Sequence, residues 1–217
     1  MAYKIGYVDE NEGWKSTFYH AFKNDFDLEM FELGSDTTAE GLVEQIFAKR
    51  LDLLVIDFLL DETGDLDFNA DEIVERIQEK NLYYPILILT SNETDALDHI
   101  ENVNLINGKD MLSGELGDKG GKVPILIHKF TKIIEGYRTK LQDSEKALED
   151  LEHIRKEKRL SPKEEDRYVE LNKYMDNVAA PKGRISRTFY AEDTNERLDQ
   201  LIKKTQEMIE LMGKEKK

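Results

Sequence analysis

Apolar residues along the chain fall into two rhythms. Short apolar or β-prone runs recur at residues 3–8 (YKIGYV), 27–33 (DLEMFEL), 51–56 (LDLLVI), 85–90 (PILILT) and 102–106 (NVNLI). Between them, at 14–24, 38–49, 69–80 and about 93–100, apolar positions return at helical spacing. The runs at 51–56 and 86–89 are apolar without alternation, as expected of strands covered on both faces. Thr38, or Asp36 before it, is a candidate cap for the second helix and Asn69 for the third. Strand and helix in regular succession predict an α/β fold, a doubly wound parallel sheet with crossover helices on both faces.

Beyond residue 124 the rhythm changes. One helix is predicted from Pro124 to about Arg159, with Phe130, Ile134, Tyr137, Leu141, Ser144, Leu148 and Leu151 alternating steps of four and three. That is the seam spacing of a coiled coil, open either to an intramolecular core or to a seam between subunits. At about 1.5 Å per residue such a helix runs roughly 50 Å, so its distal part is expected to project or to find a partner. Ser161, Pro162 and Glu164 then mark a second start, with Tyr168, Leu171, Met175 and Val178 on one face, and the two helices are expected to form a hairpin. Pro181 and Gly183 break the pattern, and a last helix is expected from about Asp193 to Met212. The domain expectation is 1–138 for the α/β part and 139–217 for the helical part, the last helix of the first running unbroken into the second.

Composition narrows the class. With 217 residues, 39% of them hydrophobic, the chain can bury a full core, and with no cysteine it can hold neither disulfides nor thiolate metal sites. No signal-like start or long apolar run is present, so the expectation is a soluble, cytoplasmic protein. The net charge of −15 is uneven: residues 1–124 carry 10 Lys and Arg against 27 Asp and Glu, the remainder 21 against 19. An acidic first part repels phosphate backbones and attracts cations, which argues against nucleic acid as a partner. The basic runs at 155–159 and 182–187, and the helical histidines His128 and His153, read as solvated surface.

The chemistry lies at the predicted strand ends. Asp57 closes an apolar run, and a carboxylate there is costly to desolvate unless charge is bound beside it. In a parallel α/β sheet the carboxyl ends of the strands form the ligand edge. The first strand ends at Asp9 and Glu10, the third at Asp57, the fourth at Thr90 and Ser91, and the fifth is followed by Lys109, with Lys119 and Lys122 as alternatives for the lysine. Three carboxylates drawn together call for a hard divalent cation such as Mg²⁺. A carboxylate beside such a cation and an ammonium can act as a nucleophile toward a phosphoryl group.

This ordered set resembles the receiver domain of two-component response regulators, over about residues 3–138. The resemblance implies a five-stranded sheet of order 2-1-3-4-5, Asp57 as phosphoacceptor, and Asp9 and Glu10 as the pair that holds Mg²⁺ with Asp57 and the carbonyl of Leu59. It implies Thr90 as the hydroxyl that bonds the phosphoryl group, Lys109 as the lysine on a phosphoryl oxygen, Asn92 and Leu59 at positions that tune dephosphorylation, and a histidine kinase or phosphotransfer protein as donor. Any enzymatic activity would be limited to self-phosphorylation and autodephosphorylation. The chain departs from the pattern where Leu60 and Asp61 replace Met-Pro, Asp110 replaces the proline after the lysine, and Ile106 replaces the switch aromatic. The leading expectation is a phosphorylatable receiver acting through protein contacts or self-association of its helical module. The second is a receiver-like docking module without regulated phosphotransfer. A phosphohydrolase with an aspartyl-phosphate intermediate ranks third, because Leu59 stands where such enzymes need a second aspartate.

Overall fold

The structure, a computed structural model, describes residues 2–61, 64, 66–112 and 122–179. The chain divides into two compact units, Met1–Lys140 and Leu141–Lys217. In the first, β1 (Lys4–Val8), α1 (Glu12–Phe22), β2 (Asp27–Met30), α2 (Ala39–Ala48), β3 (Leu53–Ile56), α3 (Ala70–Lys80), β4 (Ile86–Thr90), α4 (Glu93–His99) and β5 (Ile106–Gly108) alternate without interruption. The five strands are all parallel, in the order β2-β1-β3-β4-β5, as expected. This is a doubly wound parallel sheet of the 2-1-3-4-5 order.

Alternation along each strand builds two cores. Ile5, Tyr7, Leu53, Val55, Leu87 and Leu89 face Phe18 and Phe22 of α1 and Leu126, Phe130 and Ile134 of α5 (Val123–Glu157). Their sequence neighbours Val8, Leu54, Ile56, Ile86 and Ile88 face the apolar sides of α2, α3 and α4. Because β3 and β4 are buried on both sides, their sequences read as unbroken apolar runs. Gly6 on β1 has no space for a side chain: a Cβ there would collide with Leu51 and Phe31.

The sequence places most boundaries within two residues. Thr38, and not Asp36, caps α2, accepting from Gly41 N. Asn69 occupies the cap position of α3 but makes no capping bond to that helix. Its Oδ1 instead accepts from the amides of Leu60 and Asp61, at 2.8 and 3.2 Å. The fifth strand begins at Ile106, later than the expected 102–106, because Asn102 turns Val103–Leu105 into a 3-10 turn by accepting from Asn104 N.

In the second unit, α6 (Pro162–Ala179) folds back on the distal half of α5, with Leu151, Leu160, Tyr168 and Leu171 forming a small core against Ala147, Leu148 and Ile154. Ser161 N donates to Glu164 Oε2 at 2.8 Å while Glu164 N donates to Ser161 Oγ at 3.4 Å, a reciprocal capping box. Tyr168 and Leu171 are buried as expected, Met175 and Val178 only half-buried, and Val169 and Tyr174 are buried as well. The α5 stripe therefore serves two intramolecular cores, Phe130 and Ile134 in the first unit, Leu148 and Leu151 in the second. The break at Pro181 and Gly183 and the helix expected at Asp193–Met212 lie outside the described residues. No described helix is long and apolar enough to cross a membrane.

Phe130 is fully buried, with its ring centroid 5.1 Å from that of Phe22 and 6.0 Å from that of Phe26. Phe130→Ala is expected to cost about 3–5 kcal/mol in urea unfolding, since neither the strands nor α1 can collapse into the space. A loss below about 1 kcal/mol would show that α5 does not hold this face together.

Candidate functional site

Parallel register brings four polar side chains to one sheet edge. Val8 pairs with Ile56, and the ladder continues one step as Asp57 N donates to Val8 O at 2.8 Å. Thr90 pairs with Gly108, so Lys109 follows β5 level with the end of β4. Asp9 (0% exposed), Asp57 (5%), Thr90 (0%) and Lys109 (3%) are all buried there. Charged groups are rarely buried this deeply unless paired.

Lys109 is the centre of the pairing. Its Nζ lies 2.6 Å from Asp57 Oδ2 and 2.7 Å from Asp9 Oδ2, and 5.2 Å from the ring centroid of Trp14. Asn11 brings Trp14 into place, because its Oδ1 caps α1 by accepting from Gly13 N and Trp14 N, while its own amide donates to Asp9 Oδ1 at 2.9 Å. Lys109 is thus the lysine of the site. Lys122 is exposed and paired with Asp110, and Lys119 lies outside the described residues.

Tyr7 belongs to the site although the sequence analysis placed it only in a strand. Its hydroxyl donates to Asp9 Oδ2 at 2.6 Å and its ring stacks on Phe18 at 4.0 Å. Burial, then the charge of Asp9, push the phenol far above its usual range, so it remains a donor. The signal was available: residues two apart on a strand share a face, and a tyrosine two before a buried aspartate is within reach of it.

Asp9 and Asp57 differ in how well they are served. Asp9 Oδ1 takes the Asn11 amide, and Oδ2 takes both Tyr7 and Lys109. Asp57 Oδ2 takes Lys109, while Oδ1 is buried without a hydrogen-bond partner. Burial pushes the Asp57 carboxyl up to about 6; Lys109 pulls it down, Asp9 pushes it up and Thr90 pulls it down. The Thr90 hydroxyl accepts from Asn92 N at 3.0 Å, which ties β4 to the start of α4.

The segment after Asp57 is fastened at several points. Ala70 N donates to Phe58 O, Asn69 holds the amides of Leu60 and Asp61, and Leu66 and Phe68 of the enlarged loop are buried with Phe58 and Leu60. Leu59 sits within it, half-buried against the same core. Ile106, at the customary position of an aromatic, is half-buried on β5.

Mg²⁺ was expected on Asp9, Glu10, Asp57 and the Leu59 carbonyl. Among the described residues, no group of three or more His, Cys, Asp or Glu is gathered to hold a metal ion. Asp9 pairs with Lys109 through an oxygen that also receives Tyr7. The unserved Oδ1 of Asp57 is a buried acceptor of the kind a hard cation takes.

No protein-family model matches the chain, and no curated protein does. Solved structures similar to it include a fusion of amino acids 181–211 of the yeast Spc42 trimeric coiled coil to another structure, with 19% identity, TM-score 0.48, and 72% of this chain and 95% of that one covered. The signal receiver domain of a putative Luxo repressor protein from Vibrio parahaemolyticus gives 13% identity, TM-score 0.42, and coverage of 66% and 96%. NtrX from Brucella abortus, in complex with ADP, gives 12% identity and TM-score 0.47, with 79% of this chain covered and 33% of NtrX.

Asp57 titrates at its ordinary 3.8 in the unfolded chain and near 6 in the fold. Its contribution to stability is therefore fully present below 3.8 and lost as pH rises through 6. Asparagine has no proton to lose. Without divalent cations, urea melts at about pH 7.5 should find Asp57→Asn more stable by roughly 1–2 kcal/mol, with the gap closing near pH 4. A variant less stable by that amount at neutral pH would mean that the Lys109 pairing outweighs the cost of burying the charge.

Proposed function

We propose that the chain is a phosphoacceptor receiver, phosphorylated on Asp57 by a phosphohistidine of a kinase or phosphotransfer protein. The observation that carries this reading is the asymmetry of the site: both oxygens of Asp9 are taken by protein partners, while Asp57 Oδ1 is buried without a hydrogen-bond partner. A carboxyl near 6 is ionised at neutral pH and more basic than an ordinary aspartate, which suits a nucleophile.

In the proposed reaction an Asp57 oxygen attacks phosphorus, the O–P bond forms as the P–N bond breaks, and the imidazole leaves with its electron pair and is protonated by solvent. Lys109 follows the charge from Asp57 Oδ2 to a phosphoryl oxygen 
while keeping Asp9 as its second partner. Thr90 supplies a hydroxyl at the same edge. Mg²⁺, when bound, would neutralise phosphoryl oxygens; Glu10, Asp57 through Oδ1 and the carbonyl of Leu59 are the groups proposed to hold it, with waters completing the shell.

Output is proposed to run through protein contacts of the helical part, or its self-association, and not through DNA, given the surplus of 17 acidic over basic side chains in residues 1–124. The docking-module reading draws on Ile106, which lacks the ring a Thr90-linked switch would turn.

The test is incubation with acetyl phosphate and Mg²⁺, read by intact-protein mass. One phosphoryl group on wild type and none on Asp57→Asn is the expected result. A Lys109→Met variant should lose at least about tenfold in rate, as one charge-assisted contact to the transferring group is removed. Absence of any adduct on wild type, with phosphoramidate tried as well, would leave the docking module as the reading.

A further inference from the structure

A cation entering this site meets two buried carboxylates of unequal availability, and Tyr7 is the reason. Asp9 has three protein contacts: hydrogen bonds accepted from Asn11 N and Tyr7 Oη at 2.9 and 2.6 Å, and an ion pair with Lys109 Nζ at 2.7 Å. Two of these fall on Oδ2, whose geometry is fixed from both sides. The phenol cannot swing away, because its ring is fully buried and stacked at 3° on Phe18, which packs in turn against Phe22. Lys109 is confined between Asp9, Asp57 and the indole of Trp14.

From this arrangement we infer that Tyr7 is a positioning residue that withholds Asp9 from divalent cations, keeping it as the fixed anchor of Lys109 and leaving Asp57 as the buried carboxylate open to a metal ion. The inference rests on the cation site proposed above, and concerns which side chains take part in it. A strand tyrosine at this place acts as a selectivity device in two ways. Its proton occupies an acceptor position that a cation would need, and its dipole offsets part of the Asp9 charge that would draw a cation in. The site accordingly binds Mg²⁺ more weakly than its carboxylates would allow, and an internal ammonium holds the edge together without metal.

Removing the hydroxyl alone, in Tyr7→Phe, leaves the ring and its stack on Phe18 while releasing Asp9 Oδ2. The full chain, freed of metal with EDTA, would be titrated with MgCl₂ and followed by Trp14 fluorescence, the chain having one tryptophan, with calorimetry as a check. Tyr7→Phe is expected to bind Mg²⁺ roughly three- to tenfold more tightly than wild type, the net worth of one such hydrogen bond. A gain is informative because a loosened fold would lose affinity. In an Asp9→Asn background the same substitution should give no gain, since the freed oxygen is then no longer a carboxylate. Equal or weaker binding by Tyr7→Phe, no binding by either protein, or a gain that survives Asp9→Asn would each overturn the inference.

Should Tyr7→Phe fail to fold, ring-carbon-labelled tyrosine in wild type decides the matter. The Tyr7 Cζ resonance should hold its position through Mg²⁺ saturation; a shift as large as loss of the hydrogen bond would mean that the cation takes Asp9. These outcomes are independent of the phosphoryl adduct on Asp57, so the inference and the receiver reading can fail separately.

Discussion

One ammonium shared by two buried carboxylates is the constraint on which the polar edge of the sheet depends. Lys109 reaches Asp9 and Asp57 at nearly equal distances, so both carboxylates draw on the same charge. One positive charge cannot balance two negative ones, and the remainder must fall somewhere. Tyr7 and the Asn11 amide serve Asp9, while Asp57 keeps one oxygen without a hydrogen-bond partner and a proton affinity raised chiefly by burial. Buried ion pairs contribute little net stability, so the arrangement is better understood as holding a chemical state than as holding the fold.

The fold supplies the rigidity this requires. Strands β1, β3 and β4 are packed on both faces, and the helix on the Tyr7 side contributes a run of rings, Phe18 and Phe22, that meets Phe130 of α5. Aromatic contact fixes the tyrosine plane, the tyrosine fixes Asp9, and Asp9 fixes Lys109. Each step is short and buried, and low dielectric makes each contact stronger and each vacancy more costly.

Much of this was legible in the sequence, for reasons that can be traced. The doubly covered strands announced themselves as unbroken apolar runs, and the parallel α/β rule then sent Asp9, Asp57, Thr90 and Lys109 to one edge without further information. The helix of α5 was equally plain, because a stripe of steps of four and three over many turns has no strand reading. What could not be read was the sharing of hydrogen bonds. Tyr7 is an ordinary strand residue by propensity, and its role depends on an oxygen two residues away. The fifth strand was misplaced because Asn102 prefers a local turn to extension, a choice between two short-range options that apolar pattern does not settle.

Asn69 shows the same limit and also explains how the segment after Asp57 is held without the Met-Pro of the pattern it resembles. A cap residue was expected there, and a cap residue by place it is, but its carboxamide turns back to the amides of Leu60 and Asp61. Those amides belong to the segment where Met-Pro was absent and an enlarged acidic loop began. A proline would have removed one of the two donors that Asn69 gathers. The loop is instead tied at its root by a side chain and at its far end by Leu66 and Phe68 in the core, with Leu66 N also donating to Asp61 Oδ1. Two buried apolar residues and one carboxamide do the work of a rigid imide bond, and Asp57 gains a fixed position from a longer and more charged stretch of chain.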